Sequence, residues 1–148
     1  MVSPNPSSNE NELTSVSADS PTDAWAVGTY LYDTRGIHGT LTLHWDGTSW
    51  SKVKSPNPSS NNRLDGVSAK SATDAWAAGT TNRHTMILHW DGSRWSQVRS
   101  PNPSSMDNKL LGMSSDSATD AWAAGDYDNA GVVDTLILHW DGTAWSQT

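Results

Sequence analysis

The 148-residue chain has no cysteine and no phenylalanine. The absence of cysteine excludes disulfides, thiolate metal sites and thiol nucleophiles, and removes any sign of a redox compartment. Basic residues are few: nine Lys and Arg stand against sixteen Asp and Glu, giving a net charge of −7, and the nine are scattered rather than gathered into a patch. That balance argues against a phosphate-backbone partner, so no nucleic acid is expected. Apolar runs are only a few residues long, far short of the ~20 a spanning helix needs, so no membrane is expected either. The opening Met-Val-Ser-Pro-Asn-Pro lacks the basic and apolar regions of a secretion signal, which for the chain as it stands points to the cytoplasm. Each Asn-x-Ser sequence, at Asn5, Asn57 and Asn102, has proline in the middle and is no glycosylation acceptor.

What the chain does have is tryptophan. Only 34% of residues are hydrophobic, yet nine are Trp, so a few large amphipathic anchors must carry the packing. A repeat fixes their positions. Ser-Pro-Asn-Pro-Ser-Ser begins at Ser3, Ser55 and Ser100, at spacings of 52 and 45 residues, a period that belongs to propeller blades or helical-pair arrays. Each unit continues with Asp-Ala-Trp-Ala-(Val or Ala)-Gly from Asp23, Asp74 and Asp120, then Leu-His-Trp-Asp-Gly-x-x-Trp-Ser from Leu43, Leu88 and Leu138.

The runs are short, separated by turn residues, and show no helical period, so the units read as strands. In the second unit the pattern predicts strands near 64–69, 75–80, 85–90 and 94–99, with Asp91-Gly92 as the hairpin signal between the last two. Met86, Leu88 and Trp90 fall on one face of the third strand and Ile87 and His89 on the other, as a blade flanked by two neighbours requires. Small residues (Gly66, Ser68, Ala75, Ala77) come early and Trp90 and Trp95 late, the volume gradient of a wedge narrow at a central channel. The expected fold is therefore all-β, a β-propeller with three four-stranded antiparallel blades at 1–54, 55–99 and 100–148, its ring completed by homo-oligomerisation.

On these motifs the whole chain resembles the bacterial, actinobacterial Trp-Ala-Val-Gly type of propeller repeat (Trp25 to Gly28), with distant similarity to kelch and Asp-box propellers. It lacks the Gly-Gly pair of kelch, and Asp46 directly precedes Gly47 without the intervening residue of the Asp-box. The resemblance implies the fold and carries over no functional residue.

Repeats so alike differ mainly between their second and third strands, and loops on a rigid scaffold are where recognition is usually placed. That face supplies the candidate ligand-binding residues Tyr30, Tyr32, Arg35 and His38 in the first unit, Arg83 and His84 in the second and Tyr127 in the third. The repeated His44, His89 and His139 have the residue type of metal ligands but read better as structural, each next to a Trp on a packed strand. Asp23, Asp74 and Asp120, with Asp46, Asp91 and Asp141, read as turn residues. Asp126-Tyr-Asp128 begins like a calcium loop but fails at Ala130 and Ile137, where ligands belong. Neither metal nor cofactor is expected.

No catalytic residue stands out: there is no nucleophile elbow, Ser49 to Lys52 matches Ser-x-x-Lys in one unit only, and nothing selects a pair of carboxylates. The expected function is a non-enzymatic, self-assembling propeller segment with binding through the variable-loop face. A glycan-binding lectin and a hydrolase fragment whose site forms only in the closed ring are the alternatives. Three blades leave two apolar faces open, and Thr148 aligns with Val53 and Val98, ahead of the next Ser-Pro-Asn-Pro, so the expected partner is the chain itself: a homotrimer of nine blades or a homodimer of six. Near-identical units bounded at blade junctions also suggest a designed or excised segment.

Overall fold

The computed structural model describes residues 2–148 and contains twelve strands with no helix among them, hence no helix able to cross a membrane. Blade one is β1 (Asn11–Ser20), β2 (Asp23–Leu31), β3 (His38–Trp45) and β4 (Trp50–Lys52); blade two is β5 (Asn62–Ser71), β6 (Asp74–Thr81), β7 (His84–Trp90) and β8 (Trp95–Val98). Blade three is β9 (Asn108–Ser117), β10 (Asp120–Asn129), β11 (Val132–Trp140) and β12 (Trp145–Gln147). Each blade is a simple antiparallel meander in chain order. The first strands of successive blades meet through side-chain bonds: the Ala69 amide donates to Ser17 Oγ at 3.0 Å, and the Ser115 amide to Ser68 Oγ at 3.0 Å. They form the narrow side of the wedge, as the early small residues require.

Every first strand carries a β-bulge, at Thr14, Asp65 or Leu111, which lifts one residue out of the ladder. The bulge presses a carbonyl of the first strand (Glu12, Arg63 or Lys109) onto the second strand where Gly28, Gly79 and Gly125 sit; a Cβ there would collide with that carbonyl. The glycine closing each Asp-Ala-Trp-Ala-x-Gly motif is thus dictated by close backbone approach.

Two apolar layers between blades form the core. Between blades one and two lie Trp25 and Val27 against Leu64, Val67, Met86, Leu88 and Trp95. Between two and three, Trp76, Ala78 and Ile87 meet Leu110, Leu136, Leu138 and Trp145. Trp25 is wedged at 4.8 Å from Trp90 and 4.9 Å, edge-on, from Trp95; Trp76 repeats this with Trp140 and Trp145 at 5.3 and 5.5 Å. Edge-to-face indoles combine large buried area with a favourable quadrupole arrangement.

The Ser-Pro-Asn link latches each blade to the next. The Thr40 amide donates to Asn57 Oδ1 at 2.6 Å while its hydroxyl meets Ser55 Oγ at 2.7 Å and donates to the Pro56 carbonyl at 3.1 Å. Thr85 makes the same three contacts with Asn102, Ser100 and Pro101 at 2.7, 2.7 and 2.9 Å. Thr40 and Thr85 are buried, and the repeated hexapeptide is explained by this latch.

Two sequence expectations change. The third-to-fourth strand connection is a four-residue loop: Trp90 pairs with Trp95, and Asp91 Oδ1 accepts from the Ser93 and Arg94 amides and the Ser93 hydroxyl. The side chain organises the turn, and Gly92 supplies the positive φ of 90°. In blade three the extra residues between second and third strands do not make a longer loop. They lengthen β10 and β11 around a two-residue turn at Ala130-Gly131, because the alternating Asp126 to Asn129 segment continues the ladder with 132–135.

Candidate functional site

Asp23, Asp74 and Asp120 are more than turn residues. Their Oδ1 atoms bond Nε2 of His44, His89 and His139 at 2.6, 2.8 and 2.8 Å, and each imidazole lies over the Trp of its own blade, at 4.5, 4.2 and 4.1 Å. The carboxylate fixes the imidazole and the imidazole buttresses the indole. No three metal-ligating side chains cluster among the described residues. In blade three Asp128 Oδ1 accepts the Gly131 amide at 2.6 Å, so that carboxylate closes a hairpin turn.

The candidate ligand residues separate into several places. Tyr30 and Tyr32 are neighbours, with ring centroids 6.1 Å apart, beside a recess of about 360 Å³ that also involves Lys52, Lys54 and Asn57. Lys52 Nζ stands 4.0 Å over the Tyr30 ring. Arg35 turns outward to Asp33 at 2.7 Å, an ion pair that holds the Asp33 carboxyl below the usual range. His38 joins the blade junction through its backbone, donating its amide to Ser60 and accepting from Asn62 Nδ2 at 2.9 Å. Arg83 faces Asp107 at 3.5 Å from a turn position with φ of 76°. His84 borders a separate, wide cavity of about 1070 Å³ with Arg99, Asn102, Trp140 and Trp145. Tyr127 packs against the core between blades two and three. Sequence reading missed Lys52 and Lys54, which lie at and just beyond β4; the signal was present, because the other units have Gln97 and Arg99, then Gln147, at these places.

The two end faces of the three-blade stack are unlike the inner ones. Trp25 and Trp76 are buried, whereas Trp122 at the same position in blade three is 43% exposed, and the bulge residue Leu111 on β9 is 54% exposed. At the other end Val16 is 68% exposed, while its counterpart Val67 is buried. Polar partners are split likewise. Thr135, equivalent to Thr40 and Thr85, is exposed, with no Ser-Pro-Asn segment against it among the described residues. At the opposite end the Asn5 side-chain amide donates to the Ser3 carbonyl at 3.4 Å, as Asn57 does to Ser55 and Asn102 to Ser100. Half of a latch therefore stands preformed at each end. Charge follows the same logic: Arg63 holds Glu12 through two bonds of 2.8 and 3.1 Å, and the residue at this position in blade three is Lys109.

No family model and no curated protein matches the chain. Among solved structures it is similar to YCF48 bound to D1 peptide, with a TM-score of 0.63 and 19% identity over 91% of this chain; it spans only 39% of that one. It is also similar to a fucose lectin from Kordia zhangzhouensis in complex with methyl-fucoside, with a TM-score of 0.52 and 14% identity, covering 90% of this chain and 96% of that one. At such identities the likeness is one of fold: an all-β stack of three four-stranded antiparallel blades, shared with β-propeller-like proteins.

Proposed function

We propose that the chain is a non-enzymatic β-propeller segment that closes a ring with further copies of itself and binds through the hairpin face between its second and third strands. The observation that carries this reading is the complementarity of the two end faces. Trp122 of one copy faces the need that Trp90 and Trp95 meet for Trp25 inside the chain, and Trp50 occupies the matching position in the first blade of the next copy. Ser3 to Asn5 would latch Thr135, and Lys109 would stand beside Glu12. The contact is head-to-tail and closes by rotation, in multiples of three blades. Three copies give nine blades and two give six.

Of the two similar structures one is bound to a peptide and the other is a lectin in complex with a glycoside, which supports a binding module over an enzyme. Absolute mass in solution tests the ring. Two or three times the 16.0 kDa chain mass is expected, and a stable, cooperatively folding species at 16.0 kDa would refute closure.

A further inference from the structure

The recess beside Tyr30 combines features found together nowhere else among the described residues. Lys52 and Lys54 are alternate residues of one extended segment and point to one side of it, into the recess. Four of the five arginines are held by carboxylates (Arg35 by Asp33, Arg63 by Glu12 and Asp65, Arg83 by Asp107, Arg94 by Asp91), whereas neither lysine has a carboxylate partner among the described residues. Two uncompensated ammonium groups thus converge in a chain of net charge −7. Tyr30 is buried as the aromatic floor, with one face already engaged by the Lys52 ammonium. Tyr32 beside it is 65% exposed, an aromatic surface free to take a ring.

We propose that this recess binds a small ring-bearing organic anion, its carboxylate or phosphate between the Lys52 and Lys54 ammoniums and its ring against Tyr32. The inference rests on placing recognition at the hairpin face. A volume of about 360 Å³ suits a single pyranose-sized ligand. Size and field together select the class: the negative field of the whole chain opposes a polyanion, while two local cations still favour one compact charge. Closure of the ring would leave the recess open. The counterparts Gln97 and Arg99 remain exposed although blade one is already seated against that sheet of blade two. The site also lies within one chain, so it does not depend on assembly.

Titration calorimetry of the full chain with sodium glucuronate, glucose 6-phosphate and neutral glucose tests the proposal. Saturable binding of at least one anion below about 10 mM is expected, with none for glucose. The double substitution Lys52→Gln with Lys54→Gln should weaken it about tenfold or more, Tyr32→Ala should weaken it further, and Lys70→Gln, outside the recess, should change nothing. Whichever anion binds identifies the charged group. Absence of binding by both anions, equal binding of glucose, or full affinity in the double variant would overturn the assignment. The mass measurement reports separately on the ring, so failure of one reading is distinguishable from failure of the other.

Discussion

Trp122→Ala separates assembly from folding more sharply than any other single change. In one chain the indole stacks on His139 at 4.1 Å and keeps 43% of its surface exposed. A Trp offers up to about 250 Å², so seating another copy on this face would bury roughly 100 Å² more. At ~25 cal/mol per Å² that surface is worth about 2.5 kcal/mol, or roughly 70-fold in the association constant of one junction. Every junction between copies carries the same loss, so the effect multiplies around the ring. Sedimentation equilibrium across a concentration series should show the variant dissociating to 16.0 kDa at concentrations at least ~70-fold above the parent, with the β spectrum retained. Trp76→Ala is the contrast: this side chain is buried inside the chain, and its loss should cost about 3–5 kcal/mol of folding stability. If Trp122→Ala keeps the parental mass and dissociation range, the open face of blade three is not an assembly surface and the reasoning fails.

A Cβ at Gly66 would fall 2.7 Å from the Met113 amide nitrogen, so Gly66→Ala should lower the melting temperature; blade one carries Ser15 at this position, its Oγ accepting from the Val67 amide at 3.2 Å, and an unchanged melting temperature for Gly66→Ala would show that the second junction relaxes to the spacing of the first. The turn carboxyls Asp46, Asp91 and Asp141 are each pulled down to about 2 from 3.8, first by the hydroxyl two residues on and then by backbone amides. Their folded pKa lies below the unfolded one, so their stabilisation is present above about pH 4 and is lost as pH falls toward 2. Acid titration of Asp91→Asn should accordingly show a deficit against the parent at neutral pH that shrinks toward pH 2; a deficit independent of pH would exclude the carboxylate as its source. His89→Ala, which removes both the Asp74 bond and the buttress on Trp76, should destabilise by about 1–3 kcal/mol in urea unfolding, and coupling to Asp74→Asn in a double-mutant cycle should account for most of it.

Much of the fold was legible because the repeat repeats its physics. Trp76, Gly79, His89, Trp90 and Trp95 recur at fixed places in each unit, and alternation of apolar residues on both faces of the third strand requires neighbours on both sides. The strands read at 64–69, 75–80, 85–90 and 94–99 differ from β5 to β8 only at their ends. Sequence could not say what the Asp of each Asp-Ala-Trp does, because its histidine lies 15 to 21 residues away and meets it only when the second and third strands pair. Nor could it show that Lys52 and Lys54 join Tyr30 and Tyr32, since β4 reaches β2 only across β3. Length between motifs was read as loop in blade three, but a ladder extends for as long as its alternation and a tight turn allow, and here both do. The sequence alone determined the blade, its count and its taper, because these follow from periodicity and side-chain volume. Which residues face one another across a junction, which glycine meets a carbonyl and which Trp stays uncovered were decided by the tertiary structure, because those depend on how one wedge packs on the next.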